Sequence, residues 1–458
     1  MRILLLSPPY LPEYMRNGRC DYVSWSSAQW YPIWLAYCGA LLEKNGHKVR
    51  LIDALAERLT FKQARKRIVD FSPDILVVYS STKSQQNDIY FAEGIKDEIS
   101  CYVVFVGPYV SAGPEAVLET SCRIDAVVKG EFEYPILQLA HGHNKSKISN
   151  LVWRDNKEII VNDRRGPLTR EELENIPFVS CFYHRNLNIA NYKVPSELHP
   201  FVDIFTGRGC FWGKCTFCLW PQSFIEGPAY NTRSIENLIE ELKFITSDMP
   251  YIKEVFFQDD TLPSQRAVAI SNSILENDLK IAWGCYLRAD VGYSILRLMR
   301  QAGCRTIHVG YECRSQSILK NIGKGLTPEE MTEFTYNAHK AGLRVHADFI
   351  LGLPGDTEDT IRQTIKWAKL LDPETAQFLS VNLYPNTALS NSLQKQGCIK
   401  NGKPDYPDLS AQALAKWRKQ AYREFYIRWK FIKKIILHPE EYLFSRGRAV
   451  WLMLSRTF

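Results

Sequence analysis

At 458 residues, with 45% hydrophobic and 23% charged residues, the chain is long enough to bury two or three separate cores. Its opening, MRILLLSPPY, carries one basic residue and an apolar run of four, far short of a signal peptide or a membrane span, and twelve cysteines are too sparse for a disulfide framework. A reducing cytoplasm is therefore expected. The net charge of +7 belongs to the tail, because residues 416–458 hold 11 Lys+Arg against 3 Asp+Glu, so the body of the chain gives no basis for a nucleic-acid partner.

In chain order, apolar runs of strand type alternate with amphipathic runs of helix type. Over 1–145 the strands are 3–6, 49–54, 74–80, 102–107 and 125–131, separated by helical patterns at 31–46, 61–71, 87–99, 114–120 and 134–140. That order predicts an α/β fold with a Rossmann-like, doubly wound parallel sheet, which binds ligands beyond the carboxyl ends of its strands. Ser7, Pro8, Pro9, Ser80, Ser81, Gly107, Pro108, Gly130 and Glu131 should share that rim, overhung by the loop that runs to Trp30. Residues 146–200 read as a short hairpin and a polar connector between domains.

Over 201–400 the alternation resumes, with strands at 201–206, 254–259, 281–287, 306–311, 345–351 and 378–384. Helical runs lie between them, one opened by Thr327-Pro328 with Glu330 as a capping box. Six such units predict a partial (β/α)6 barrel, with an open sheet as the alternative. Residues 401–458 read as a short basic helical tail. In it Trp417, Trp429 and Trp451 alternate with Lys430, Lys433, Lys434, Arg446 and Arg448, a pattern of a helix docked on the barrel, of a nucleic-acid patch, or of a helix lying on a membrane surface, which the tryptophans favour over the nucleic-acid patch.

Chemistry should gather at the carboxyl ends of the barrel strands, and each predicted strand there is followed by a distinctive group. These are RGCFWGKCTFC (208–218), Asp259-Asp260, Arg288 with Asp290, Glu312, Gly352-Leu353-Pro354-Gly355 and Pro385-Asn386-Thr387. Three cysteines, Cys210, Cys215 and Cys218, are one short of a structural zinc site and one more than a C-x-x-C redox pair needs. They match a [4Fe–4S] cluster with one iron left open to a ligand, while zinc stays as the alternative. Cys285, Cys304 and Cys313 have no such spacing and read as small core residues, and His308 and His346 as interior barrel residues.

C-x4-C-x2-C after the first barrel strand resembles the radical S-adenosylmethionine (SAM) superfamily, whose usual spacing is C-x3-C-x2-C. The first half, through Ser7-Pro8-Pro9, VGPYVSAGPE (106–115) and VVKGEFEYPI (127–136), is similar to the cobalamin (B12)-binding domain of one branch of that superfamily. TGRGCFWGKCTFCLWPQ, FFQDDT, VGYECRSQSILKNIGKG and FILGLPGDT look closest to the hopanoid-biosynthesis group that includes the cyclitol ether synthase.

The resemblance implies three cofactors. Cys210, Cys215 and Cys218 would ligate the cluster; Asp259, Asp260, Glu312 and Ile350, Leu351, Gly352 and Leu353 would contact SAM; the sheet-rim residues would contact cobalamin. It implies reductive cleavage of SAM and functionalisation of an unactivated carbon of a small-molecule or lipid substrate, with an external one-electron donor of flavodoxin or ferredoxin type. C-methylation is the leading outcome and radical ring contraction or rearrangement the second. A non-catalytic iron-sulfur or zinc scaffold is the alternative from another class. The branch's D-x-H-x-x-G cobalt-ligand segment is absent, since His47, His141 and His143 lack its flanking residues.

Overall fold

The computed structural model describes residues 1–18 and 21–437, divided into two compact units. The first comprises Met1–Lys193, Val202–Gly209 and Leu219–Asn237; the second comprises Val194–Phe201, Cys210–Cys218 and the chain from Leu238 onward.

The first unit is built on seven strands: β1 (Arg2–Ser7), β2 (Lys48–Asp53), β3 (Ile75–Tyr79), β4 (Tyr102–Val106), β5 (Ala126–Val128), β6 (Leu151–Asp155) and β7 (Glu158–Val161). Their order is β2-β1-β3-β4-β5-β6-β7, parallel through β5 and antiparallel beyond it. Strands ILVVY and VVFV are buried at every residue, which only a sheet covered on both faces allows. The order 2-1-3-4-5 reverses at β1 and β3, so the predicted doubly wound sheet is of the flavodoxin-like kind. Residues 151–161, expected in a connector, instead lengthen this sheet as a hairpin, because Leu151 and Val152 bury fully against β5. The helix Phe61–Phe71 starts where Thr60 and Gln63 close a capping box, and it turns Ala64, Ile68 and Phe71 to the core.

The second sheet runs in chain order: β8 (Phe201–Ile204), β9 (Glu254–Phe257), β10 (Ala282–Leu287), β11 (Cys304–Glu312), β12 (Arg344–Leu351) and β13 (Thr375–Ser380). The pairs from β9 to β13 are parallel. Parallel strands added in sequence by right-handed crossovers place every helix on one face, so the other face becomes the inside of a partial barrel. Burial along β12 alternates accordingly. Val345, Ala347, Phe349 and Leu351 are buried, while Arg344, His346, Asp348 and Ile350 stay partly exposed.

The tail's docked reading holds for the described part of it. Helix Ala411–Tyr426 buries Trp417, Phe425 and Tyr426, and Arg428, Lys430 and Lys434 converge on Asp372. Tyr426 Oη accepts from Ala376 N at 2.9 Å and donates to Ala376 O at 2.7 Å, and Tyr422 Oη accepts from Phe378 N at 3.3 Å. Those hydroxyls satisfy the free edge of β13 where a further strand would otherwise pair. Trp429 is 73% exposed, and Trp451, Arg446 and Arg448 lie outside the described residues. No helix among the described residues is long and apolar enough to cross a membrane.

Candidate active site

The cysteine loop is shaped from within and held from below. Gly213, at φ +61°, donates its N–H to Cys210 Sγ at 3.5 Å, and Cys218 N donates to Cys215 O at 3.2 Å. Beneath it lies Ile322-Gly323-Lys324-Gly325, a segment whose role sequence reasoning missed. Thr216 N donates to Ile322 O at 2.9 Å, and Trp212 Nε1 to Gly323 O at 2.9 Å. A Cβ on Gly323 would sit 2.4 Å from Lys214 O, and one on Gly325 would sit 2.2 Å from the Trp212 ring. Both glycines also have positive φ, +70° and +64°, so backbone conformation and close approach require them together. Arg288 covers the other face of this contact, 4.0 Å from the Trp212 ring centroid, with Nη2 donating to Gly325 O at 3.1 Å. The middle of the long Cys210-to-Cys215 step is therefore the part that grips the Ile322-to-Gly325 segment.

Glu312 ends β11 at φ +62°, a left-handed conformation that a side-chain-bearing residue adopts only where the surroundings hold it. The register shift between Gly310 and Glu312 turns its carboxylate back over Gly310, where a Cβ would meet Glu312 Oε1 at 2.5 Å and Lys324 Nζ at 3.3 Å. Lys324 Nζ pairs with Glu312 Oε1 at 2.8 Å, both side chains less than a tenth exposed. Burial alone lowers the affinity of that ammonium for its proton, but Glu312 and the neighbouring Cys215 more than offset it and hold the group charged. Burial pushes the Cys215 thiol up to about 12, against the pull of Lys324. An ammonium is thus stationed beside the cysteines, where thiolates need a counter-charge.

The three thiols are part-exposed. Among the described residues no three His, Cys, Asp or Glu side chains converge as a single ion requires. Three thiols with an adjacent cation suit a cluster that takes three protein ligands.

The other predicted SAM contacts lie at carboxyl ends of the same sheet. Asp259 is fully buried just after β9, and Asp260 follows it. Ile350 faces the inside of the barrel. Gly352 N and Leu353 N donate to Asp356 Oδ2 at 2.8 and 3.2 Å within their own loop, and Gly352 O accepts from the distant Tyr406, so those backbone groups are already committed to protein partners. Cys285, Cys304 and Cys313 are buried core thiols.

In the first unit, the overhanging loop itself fills part of the rim. Arg16, fully buried, donates to Pro8 O at 2.6 Å and to Asp88 Oδ1 at 2.9 Å, while Asp88 also accepts from Ser80 and Ser84. Tyr14 Oη bonds Ser81 Oγ at 2.7 Å. Ser7, Pro8, Ser80 and Ser81 are thereby occupied by protein groups, while Pro9 O accepts from Asn87. At β4 and β5 the rim is backbone and hydroxyl, with Ser111 Oγ donating to Gly107 O at 2.7 Å and accepting from Gly130 N at 2.9 Å, beside Pro108. A Cβ on Gly107 would meet Ser80 O at 2.8 Å and one on Gly130 would meet Phe224 O at 2.7 Å, so both glycines serve a close approach of backbone. Glu131 is a correction to the sequence reading. It points inward and binds Arg208 at 2.8 Å, because Arg208 is buried and needs both Glu131 and Glu133 as counter-charges. His47, before β2, and His141 cluster at the amino end of the sheet, away from that rim.

The sequence matches the radical SAM superfamily over residues 204–368 and the B12 binding domain over 21–140. It is 32% identical over 435 residues to an uncharacterized methyltransferase of Pyrococcus horikoshii, covering 91% of this chain and 92% of that one. The chain belongs to the radical SAM superfamily. A radical SAM enzyme of this domain composition uses a [4Fe–4S] cluster, SAM and cobalamin. The cytidylyl-2-hydroxyethylphosphonate methyltransferase of Streptomyces wedmorensis is 24% identical, over 88% of this chain and 82% of its own. In fold, this radical SAM chain is similar to TsrM from Kitasatospora setae, a radical SAM methyltransferase solved with cobalamin and [4Fe–4S] cluster bound. The TM-score is 0.66 at 17% identity, over 93% of this chain and 81% of that one.

Proposed function

We propose that the protein is a cobalamin-dependent radical SAM methyltransferase that adds a methyl group to an unactivated carbon of a small molecule. The observation that carries this reading is the cysteine loop clamped against the buried Glu312–Lys324 pair, in a chain that also has a B12 binding domain and two methyltransferase-named relatives. When bound, the cluster with SAM supplies a one-electron route to C–H cleavage, and cobalamin supplies the methyl group. Cys210, Cys215 and Cys218 hold the cluster through three thiolates and leave a coordination position for SAM. Lys324 balances the charge of those thiolates and of an incoming carboxylate, and Glu312 accepts from a SAM ammonium or hydroxyl donor. Asp259, Asp260 and the Ile350 side chain complete the SAM surface at the strand ends, and Gly107, Pro108 and Gly130 receive part of the cobalamin. The electron comes from an external flavodoxin or ferredoxin-type donor.

Anaerobic reconstitution tests this. The wild type should carry about four irons per chain, lose them on Cys215→Ala, and release 5′-deoxyadenosine under reduction. With cobalamin and a metabolite extract, a product heavier by one CH2 supports methyl transfer. A product of unchanged carbon count supports rearrangement, the outcome expected of a cyclitol ether synthase-like enzyme. Stoichiometric zinc without SAM cleavage sinks both.

A further inference from the structure

The inner face of the second sheet carries a graded series of side chains below the Glu312–Lys324 pair. In register, Gly310 lies beside Asp348 and Asp348 beside Gln377; one rung lower, His308 lies beside His346 and His346 beside Thr375. These residues face inward because their alternates face the helices. Phe349 packs on Trp367, and Phe378 on Tyr422 and Phe425.

The lower rung is closed and satisfied. The His308 and His346 rings lie 4.4 Å apart, and Phe256 and Tyr286 meet His308 at 4.8 and 5.3 Å. His308 Nε2 is 2.9 Å from Glu197 Oε1, and His346 Nδ1 is 2.7 Å from Thr375 Oγ1. Together they make an aromatic floor.

The upper rung is different. Among the described residues neither the Asp348 carboxylate nor the Gln377 amide has a side-chain hydrogen bond. His346 Nε2 lies 3.5 Å from Asp348 Oδ1, and the Asp348 side chain remains 27% exposed. Gly310, on its other side, contributes no side chain of its own, and the space over it is taken by the Glu312 carboxylate and the Lys324 ammonium. A carboxylate in the middle of a central strand costs solvation, and nothing in the packing of the sheet needs it. It only accepts hydrogen bonds, whereas the adjoining amide both donates and accepts.

Resting on the reading of this barrel as the reaction chamber, we propose that Asp348 and Gln377 anchor the substrate, and that the substrate is a nitrogen-bearing polar molecule that presents an amine or ring N–H to Asp348, not a hydrocarbon lipid. The register shift after Gly310 brings the Glu312 carboxylate back over Gly310, the neighbour of Asp348 in register. A donor held on Asp348 therefore lies beside the Glu312–Lys324 pair. His346, held by Thr375, lies next to the carboxylate, and Phe256, Tyr286 and His308 form the floor under an apolar or aromatic portion.

The test uses full-length reconstituted protein and three matched probes: phenethylamine, 2-phenylethanol and phenylacetate. Binding is followed by the 15N shifts of the histidine imidazoles. Phenethylamine should bind about tenfold tighter than phenylacetate, and Asp348→Asn, which keeps shape and removes charge, should bring the two within about twofold. Gln377→Leu should weaken all three while leaving their order. Equal binding of the three probes by the wild type, or a preference that persists in Asp348→Asn, overturns the anchor. In the extract assay, the compound gaining CH2 should be retained by a cation-exchange resin; its recovery from the lipid phase also overturns the anchor. Probe discrimination without CH2 gain in any fraction leaves the anchor standing and defeats only the methyl-transfer reading.

Discussion

The Lys324 ammonium lies 2.8 Å from the Glu312 carboxylate at the head of β11, both nearly buried, with the Cys215 thiol as a further neighbour. A positive charge near a cluster favours its reduced form. Lys324→Gln should therefore lower the cluster's midpoint potential by ~60 mV, the one-electron equivalent of a tenfold change. Lys324→Arg should stay close to the wild type. An EPR-monitored redox titration reads this directly, and the Glu312→Gln/Lys324→Gln pair controls for the uncompensated carboxylate. Unchanged potentials across the series would remove Lys324 from the electrostatics of the site.

Gly323 touches the cysteine loop through backbone alone, and its φ of +70° adds conformational strain to any side chain placed there. Gly323→Ala should cost about 1–3 kcal/mol and lower iron retention after reconstitution. Gly142, also at positive φ but with open space around its Cβ, provides the control. Gly142→Ala pays for conformation only and should keep its iron.

Arg208 is 1% exposed, bonded at 2.8 Å to both Glu131 and Glu133 and stacked 4.5 Å from Trp34. Replacing it with methionine strands two buried carboxylates. Urea unfolding should show a loss of about 3–5 kcal/mol, partly recovered by Glu131→Gln with Glu133→Gln. No recovery would mean that the aromatic stack, not the charge, is what Arg208 supplies.

Asp53 is fully buried at the end of β2, and burial pushes its carboxyl up to about 6, against the opposing pull of Ala56 N–H, Arg16 and Ser7. The folded state holds this proton more tightly than the unfolded chain. The corresponding stabilisation is complete below about pH 4 and is lost as pH rises through about 6, an effect of about 3 kcal/mol. Unfolding free energies measured from pH 4 to pH 7 should fall less steeply in Asp53→Asn than in the wild type. Parallel curves would show that Asp53 is not the titrating group.

Much of the architecture was legible in the order of residues. The continuous apolar runs ILVVY and VVFV announce strands covered on both faces, and the Thr327 box places a helix start within a residue. The hairpin 151–161 was recognised as a hairpin but not as part of the sheet, because edge pairing depends on which strand happens to be free. Glu131 was placed on the rim by its neighbours in sequence, and its inward turn toward Arg208 is a contact across 77 residues that periodicity does not encode.

By itself the sequence determined the two α/β units, the three clustered cysteines and the glutamate that ends a barrel strand, because those follow from local period, strand order and the chemistry of thiolates. Only the tertiary structure decided what surrounds them. Lys324 lies 109 residues beyond Cys215 in the chain, yet it stands next to it because Gly323 and Gly325 let two backbones meet. Asp348 and Gln377 look like ordinary strand residues until the register sets them side by side on the inner face. Such relationships are long-range and depend on which face each strand turns inward, and no local pattern of residues carries that information.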